Sequence, residues 1–418
     1  MLLRDGHRVS LSPKAFDLLK LLVVHHGRVV DKPHMLEALW PDTYVDEANL
    51  SVQIAAVRKA LGLPGEKFIE TIAKRGYRFV APVETVSEDD SPGPTKPGAY
   101  VFYKRANQLA YETTQLEQAR DLYEAALRQD PGFVAAWARL GRCYRVIGKF
   151  GASGSDAQAC FVQAERAFER ALALDPGSSL AHSLYAQLEV DTGKAHDAML
   201  RLLSLVERRG RAADLYAGLV HALRFCGLLD YSVAAHRKAR ALEPAIPTSV
   251  HHTWWMKGEY LNALSETYGD IGYMPGLALA SAGQTRDAIA ALRWRERESA
   301  DLKTAPYMTS LRALLEDKRD ESIAALDQAS VLQLDGEAMY YIARSYAKLG
   351  LHERFHSAME RVVDGGFFCY DTYLADPWLD TVRRDARVAA LLARAHSGML
   401  RARAAFENAR GAQFLSAT

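Results

Sequence analysis

Cysteine is scarce in this 418-residue chain: Cys143, Cys160, Cys226 and Cys369 lie far apart, with no C-x-x-C spacing. A disulfide scaffold is excluded, and reduced thiols in a cytoplasm are the simplest expectation. No apolar segment of signal-peptide type follows Met1, and no run reaches the roughly 18 uninterrupted apolar residues of a membrane span, so a soluble protein is expected. The chain also lacks G-x-x-x-x-G-K-[ST], a G-x-G-x-x-G after a strand, H-E-x-x-H and G-x-S-x-G. Without these phosphate-cradling, zinc-binding and acyl-transfer patterns, neither an enzyme nor a cofactor is expected. The adjacent carboxylates Asp89 and Asp90 stand in a polar stretch with no cavity to shift their acidity.

Neither sign of charge dominates, with 52 Lys+Arg against 51 Asp+Glu. The balance hides an asymmetry: residues 1–83 hold 12 Lys+Arg and 9 Asp+Glu, a small cationic excess. With 49% hydrophobic and 25% charged residues the composition is that of ordinary globular protein. The length calls for several domains or a repeat array. Residues 84–98, ETVSEDDSPGPTKPG, contain almost nothing that could join a core and read as a linker.

Before the linker, short strand-like and helical segments alternate. Leu2-Leu3 and His7-Arg8-Val9 flank Asp5-Gly6 as a hairpin. Ser12-Pro13 reads as an N-cap with proline in the first helical position, and Phe16, Leu19, Leu22 and Val23 follow on one face up to Gly27. Asp31 caps a second helix with Met35, Leu36 and Leu39 inward, ended by Trp40-Pro41. Asp46 caps a third, in which Leu50, Ile54, Val57 and Leu61 form one buried stripe. Residues 68–72 and 77–80 read as two strands around a basic tip, Ala73-Lys74-Arg75-Gly76. Trp40 and Tyr77 are expected in the core.

Three segments, LSPKAFDLLKLLVVHHGRVVDKPHMLEALW, VDEANLSVQIAAVRKALG and FIETIAKRGYRFVAPV, closely resemble in order the winged-helix effector domain of OmpR-type response regulators. The resemblance covers roughly residues 2–83 and implies binding to double-stranded DNA, third helix in the major groove and wing over a minor groove. It also implies a homodimer on tandem half-sites. Such domains open with a longer β platform than the single hairpin here, so a truncated platform is expected, and with no receiver domain ahead, control by aspartyl phosphorylation is not implied. On the third helix Ala48, Val52, Ala55 and Lys59 lie opposite the buried stripe, flanked by Asn49, Ser51 and Ala56. Basic residues are common in the family where Ala55 and Ala56 stand. Base reading therefore falls to Val52 and the alanines on thymine methyls and to Asn49, Ser51 or Gln53 by hydrogen bonding. Arg58, Lys59, Lys74, Arg75 and Arg78 are expected mainly at phosphates, with Arg75 the candidate for the minor groove.

After the linker a period near 34 residues takes over. Trp137, Leu140-Gly141, Tyr144, Gly148, then Ala164, Phe168, Ala171 and Pro176 resemble the tetratricopeptide (TPR) pattern, with an insertion of about eleven residues near 150–160, since Pro131 and Pro176 are 45 apart. Pro176 and Pro244 are 68 apart, twice the period, and Gly193 and Gly227 are 34 apart. Tyr103, Ala119, Tyr123, Ala126 and Pro131 mark an earlier repeat; Gly258/Ala263, Gly283/Ala288, Ser322/Ala329 and Gly350 mark later ones. About eight hairpins are expected, the small residues allowing close approach. The fold class expected is thus mainly α: a winged helix-turn-helix over 1–83, repeats over 99–366, and capping helices with a fraying tail over 367–418. Such a solenoid implies an unknown protein or peptide partner on its concave face. His251-His252 and Trp254-Trp255 break the period; neighbours on a helix point about 100° apart and cannot chelate from one face, so packing is expected there rather than a metal site.

Two functions fit these observations. One is a one-component transcriptional regulator whose solenoid senses a protein or ligand signal. The other is a non-enzymatic interaction scaffold whose winged helix binds protein; the alanine-rich outer face favours it, and the basic wing favours the first.

Overall fold

The computed structural model describes all residues except 1, 5–6, 10, 41–44, 63–67, 74, 82, 84–92, 111–114, 151–155, 211, 267–272, 299–304, 333–334 and 417–418. The chain divides into two compact units, Met1–Ser87 and Glu88–Thr418.

In the first unit β1 (Leu2–Arg4) and β2 (His7–Val9) pair antiparallel with Arg4 opposite His7; the Asp5-Gly6 turn lies outside the described residues. The Ser12 hydroxyl accepts the Ala15 amide at the start of α1 (Pro13–Val24), with Pro13 in the first turn. The buried stripe of α1 is Ala15, Leu18, Leu19 and Leu22, while Phe16 and Val23 are half-buried on its flanks. Asp31 caps α2 (Lys32–Leu39) and Asp46 caps α3 (Glu47–Leu61), each accepting a first-turn amide. Met35, Leu39, Leu50, Ile54 and Val57 meet the α1 stripe in one core; Leu36 and Leu61 lie at its margin.

A strand absent from the sequence reading completes the sheet: β3 (Val29–Asp31) pairs with β5 (Gly76–Phe79), which pairs with β4 (Ile69–Ile72), all antiparallel. Val29-Val30 is too short for a visible alternation; its partner across β5 makes it a strand. Tyr77 and Phe79 are buried beneath the sheet and Trp40 is half-buried, with the Lys14 ammonium 5.8 Å from its ring.

The second unit is helical throughout its described length. Its helices pair in order as α4 (Pro97–Leu109) with α5 (Leu116–Gln129), α6 (Val134–Phe150) with α7 (Ala157–Leu174), α8 (Ser179–Asp191) with α9 (Ala195–Arg209), and α10 (Ala213–Phe225) with α11 (Leu229–Leu242). Then come α12 (Val250–Met256) with α13 (Tyr260–Glu266), α14 (Tyr273–Ser281) with α15 (Thr285–Glu298), α16 (Ala305–Leu315) with α17 (Arg319–Leu332), and α18 (Gly336–Lys348) with α19 (His352–Asp364). Among the described residues these make eight hairpins, where about eight are expected. Small residues set their spacing: a Cβ on Gly141 would stand 2.8 Å from the Phe168 ring and one on Gly276 2.6 Å from Leu292. The insertion near 150–160 lengthens one hairpin, so that α6 and α7 run 17 and 18 residues. The turns between paired helices hold Gly193, Gly227, Gly258, Gly283 and Gly350, all at φ of 70° to 82°. In the seventh hairpin this place belongs to Asp317, at φ 57°.

The array ends in α20 (Tyr370–Ala375), α21 (Ala386–Asn408) and α22 (Gly411–Leu415). Where fraying is expected, α21 continues for 23 residues because Val388, Leu391, Ala395, Met399, Ala402 and Phe406 recur on one buried face. The Phe406 ring lies 4.3 Å from that of Tyr231 on α11, and Arg410 pairs with Glu207 on α9.

The last hairpin also reaches back to the early ones. Asp335 pairs with Lys149 of α6 at 3.0 Å, and Glu337 receives both arms of Arg224 of α10 at 3.0 Å. The Phe368 amide donates to the Phe225 carbonyl, and the Thr372 hydroxyl to that of Met256. His251 and His252 belong to this interior: His252 pairs with Glu337 at 3.0 Å, and Trp255 is buried against Tyr341 at 5.4 Å. Among the described residues no cluster of three metal-ligating side chains occurs, and no helix is long and apolar enough to cross a membrane.

Candidate nucleic-acid interface

The stripe Leu50, Ile54 and Val57 fixes the rotation of α3, and the helical repeat of about 100° then turns Ala48, Val52, Ala55 and Lys59 outward. All four are exposed, Val52 to 62%, together with Asn49 and Ser51. Of the exposed valines of this unit, Val52 is the most open to water, ahead of Val29 at 40%. Gln53 sits at the edge of this face, where its amide oxygen accepts the Ser12 hydroxyl at 3.2 Å. Lys32 of α2 pairs with Glu47 at 2.6 Å, and this bond holds the ammonium above its usual pKa. The pair ties the first turn of α3 to α2.

The expected cations divide into two groups. Arg58 donates to the Ile69 carbonyl at 2.6 Å and the Thr71 hydroxyl at 3.0 Å, joining α3 to β4. Arg78 pairs with Glu70, its cross-strand neighbour, at 2.6 Å. Lys59 and Arg75 are exposed and form no ion pair among the described residues. Lys74 lies outside the described residues.

The Arg75 turn is built tightly. Its amide donates to the Ile72 carbonyl at 3.0 Å, and its own carbonyl accepts the Lys32 amide at 3.2 Å. A Cβ on Gly76 would run into the Val30 carbonyl, so only glycine lets β3 and β5 meet here. The structural weight of Gly76, and of Arg58 as a tie between α3 and the sheet, is missing from the sequence reading. A glycine immediately after a basic tip was the one available signal for the first; nothing local signalled the second.

A compact trihelical core with a three-stranded sheet, a solvent-facing third helix and a cationic hairpin turn defines a winged helix of the OmpR type, fused here to a TPR-like array. Residues 6–79 match the family model described as "Transcriptional regulatory protein, C terminal". The chain is 38% identical over 126 residues to the transcriptional regulator HilA of Salmonella typhi, a stretch covering 30% of this chain and 23% of HilA. It is 33% identical over 76 residues to the phosphate regulon transcriptional regulatory protein PhoB of Pseudomonas aeruginosa, covering 18% of this chain and 33% of PhoB. The matched stretches thus span a third or less of these relatives. Among solved structures, the hetero-tetramer Cut9-Hcn1 of the APC/C aligns over 73% of this chain and 77% of its own, at 15% identity and a TM-score of 0.41.

Proposed function

We propose that the chain is a one-component, non-enzymatic transcriptional regulator of the cytoplasm that binds double-stranded DNA through its winged helix, with the helical array as its protein-interaction or signal-sensing module. The observation that carries this reading is the outward face of α3, with Val52 bare in solvent, on the unit whose hairpin turn presents Arg75. A helix of this width fits the major groove; Val52, Ala48 and Ala55 offer methyl contacts to thymine, and Asn49, Ser51 and the free end of the Gln53 amide offer hydrogen bonds to base edges. Lys59, Arg75 and Lys74 then lie at phosphates or the minor-groove rim, whereas Arg58 and Arg78 support the surface from within. Two copies on tandem half-sites would follow from the resemblance to OmpR-type effector domains.

The engagement of Arg58 and Arg78 inside the unit keeps the scaffold reading in play, because it lowers the number of cations available to DNA. A salt titration of full-chain binding to duplex DNA separates the two. Phosphate contacts make log K fall with log salt at about 0.9 per neutralised phosphate, so affinity should drop steeply between about 50 and 200 mM salt. A flat response, or no binding at the lower salt, would leave only the scaffold.

A further inference from the structure

An open array of hairpins buries each helix against its sequence neighbours and leaves the inner surface to solvent or a partner. Here α18 departs from that plan. From Gly336 to Ala347 every residue but Ala338 is buried, all round the helix, although it carries Glu337 and Arg344. Its partners come from far along the chain: Arg224 and Lys149 for the carboxylates at its start, His252 and Trp255 for Tyr341. The surface beneath it is cationic, with Arg145, Lys149 and Arg224 nearly buried and Asp191 of α8 pairing with the first two.

We propose that α18, with α19 and the tail behind it, is a built-in occupant of the array's inner face, standing where a helical partner would dock that carries two carboxylates in its first turn followed by tyrosines. This rests on the array being an interaction module. The displaced surface would be that of α6, α8, α10 and α12, and a partner of the same chemistry would gain it by competing with α18.

The fit of the internal occupant is incomplete, which is what makes it displaceable. His221, on α10 beside Arg224 and only 7% exposed, has an Nε2 without a hydrogen-bond partner among the described residues. Burial, and then the charge of Arg224, keep its imidazole well below its usual pKa and so neutral. Its ring stands edge-on to Phe225 at 5.0 Å, and Phe225 meets Phe367 of the closing segment at 4.8 Å. A competitor that offers His221 a partner would satisfy a group that α18 leaves unmet. The contact is mixed, with the ion pairs of Asp335 and Glu337 at the start of α18 beside a shared apolar core that holds Met339, Tyr340 and Ile342 with Leu219 and Phe225 of α10.

Native-state hydrogen exchange on the full chain tests the idea, with a labelled peptide of residues 335–349 as the probe. In the unmodified protein, amides of α18 and α21 should exchange at least tenfold faster than those of α8 and α10, through one shared opening. In the full chain carrying Asp335→Asn and Glu337→Gln, that opening should quicken at least tenfold, and the peptide should bind at least tenfold tighter than to the unmodified chain. Exchange of α18 and α10 in a single step in the unmodified protein would make α18 plain core and overturn the proposal, and it decides the matter even if the double variant does not fold. Failure of the peptide to bind an opened variant would overturn it equally. Duplex affinity, measured separately by salt titration, reports on the DNA reading alone.

Discussion

Arg58 and Lys59 are neighbours on α3 with different employment, and substituting each in turn separates support from contact. Arg58→Ala leaves the Ile69 carbonyl and Thr71 hydroxyl without a donor, and should cost about 1–3 kcal/mol in chemical denaturation along with DNA affinity. Lys59→Ala should stay within about 0.5 kcal/mol of the parent, while the slope of log K against log salt falls by about one. An unchanged slope would remove Lys59 from the phosphate contacts. Asp191 makes a second case. Burial opposes its ionisation, but Arg145 at 2.6 Å and Lys149 at 2.9 Å outweigh it and hold the carboxyl down at about 2. The folded value lies below the unfolded value near 3.9, so the stabilisation is complete above roughly pH 5 and is lost as pH falls toward 2. Asp191→Asn removes the carboxylate that faces the nearly buried Arg145 and leaves Lys149 with Asp335 alone, and should cost about 3–5 kcal/mol at neutral pH, a difference that shrinks on acidification. Denaturation curves of both proteins between pH 7 and 3 check this; a gap independent of pH would dissociate Asp191 from the cations.

Single elements were readable from sequence wherever the signal is local. The caps Ser12, Asp31 and Asp46 and the stripe through Leu50, Ile54 and Val57 depend on residues a few positions apart, and the structure keeps them. So do the hairpin turns, whose glycines recur at φ near 75°. β3 escaped because two valines become a strand only by pairing with Arg78 and Tyr77, far along the chain. On α1 the expected Leu19 and Leu22 are in the buried stripe, but Phe16 and Val23 lie on its flanks and Ala15 and Leu18 complete it, Ala15 being weak as an apolar signal. Of the candidate interface, the outward face of α3 follows from its inward one, but the engagement of Arg58 and Arg78 follows from strand register, which local pattern does not encode. The odd member of the turn series gives a prediction at this scale. Asp317 holds a left-handed conformation where five sister turns use glycine, and no ion pair among the described residues occupies it. Asp317→Gly should therefore raise the stability of the array by about 0.5–1 kcal/mol, read as an increase in denaturation midpoint at unchanged m. A decrease would mean that Asp317 makes a contact worth more than its strain.

At the scale of the whole molecule, the two units have separate cores, so thermal or denaturant unfolding should not be two-state. Trp40 reports on the first unit and Trp137, Trp254, Trp255, Trp294 and Trp378 on the second. Fluorescence of a chain retaining only Trp40 should follow one transition, and far-UV circular dichroism, dominated by the helices of the array, another. Coincident curves would show that the units unfold together.

The pairing of Asp335 with Lys149 bears on how the chain matures during synthesis. A repeat protein with neighbour-only interfaces can set each hairpin as it leaves the ribosome, but here Arg224 of α10 waits 113 residues for Glu337, and Lys149 of α6, matched earlier only by Asp191, waits longer still for Asp335. Their final burial is a late, long-range event, so a nascent chain stalled before Gly336 should remain open to proteases and chaperones along the very helices that the finished protein hides best.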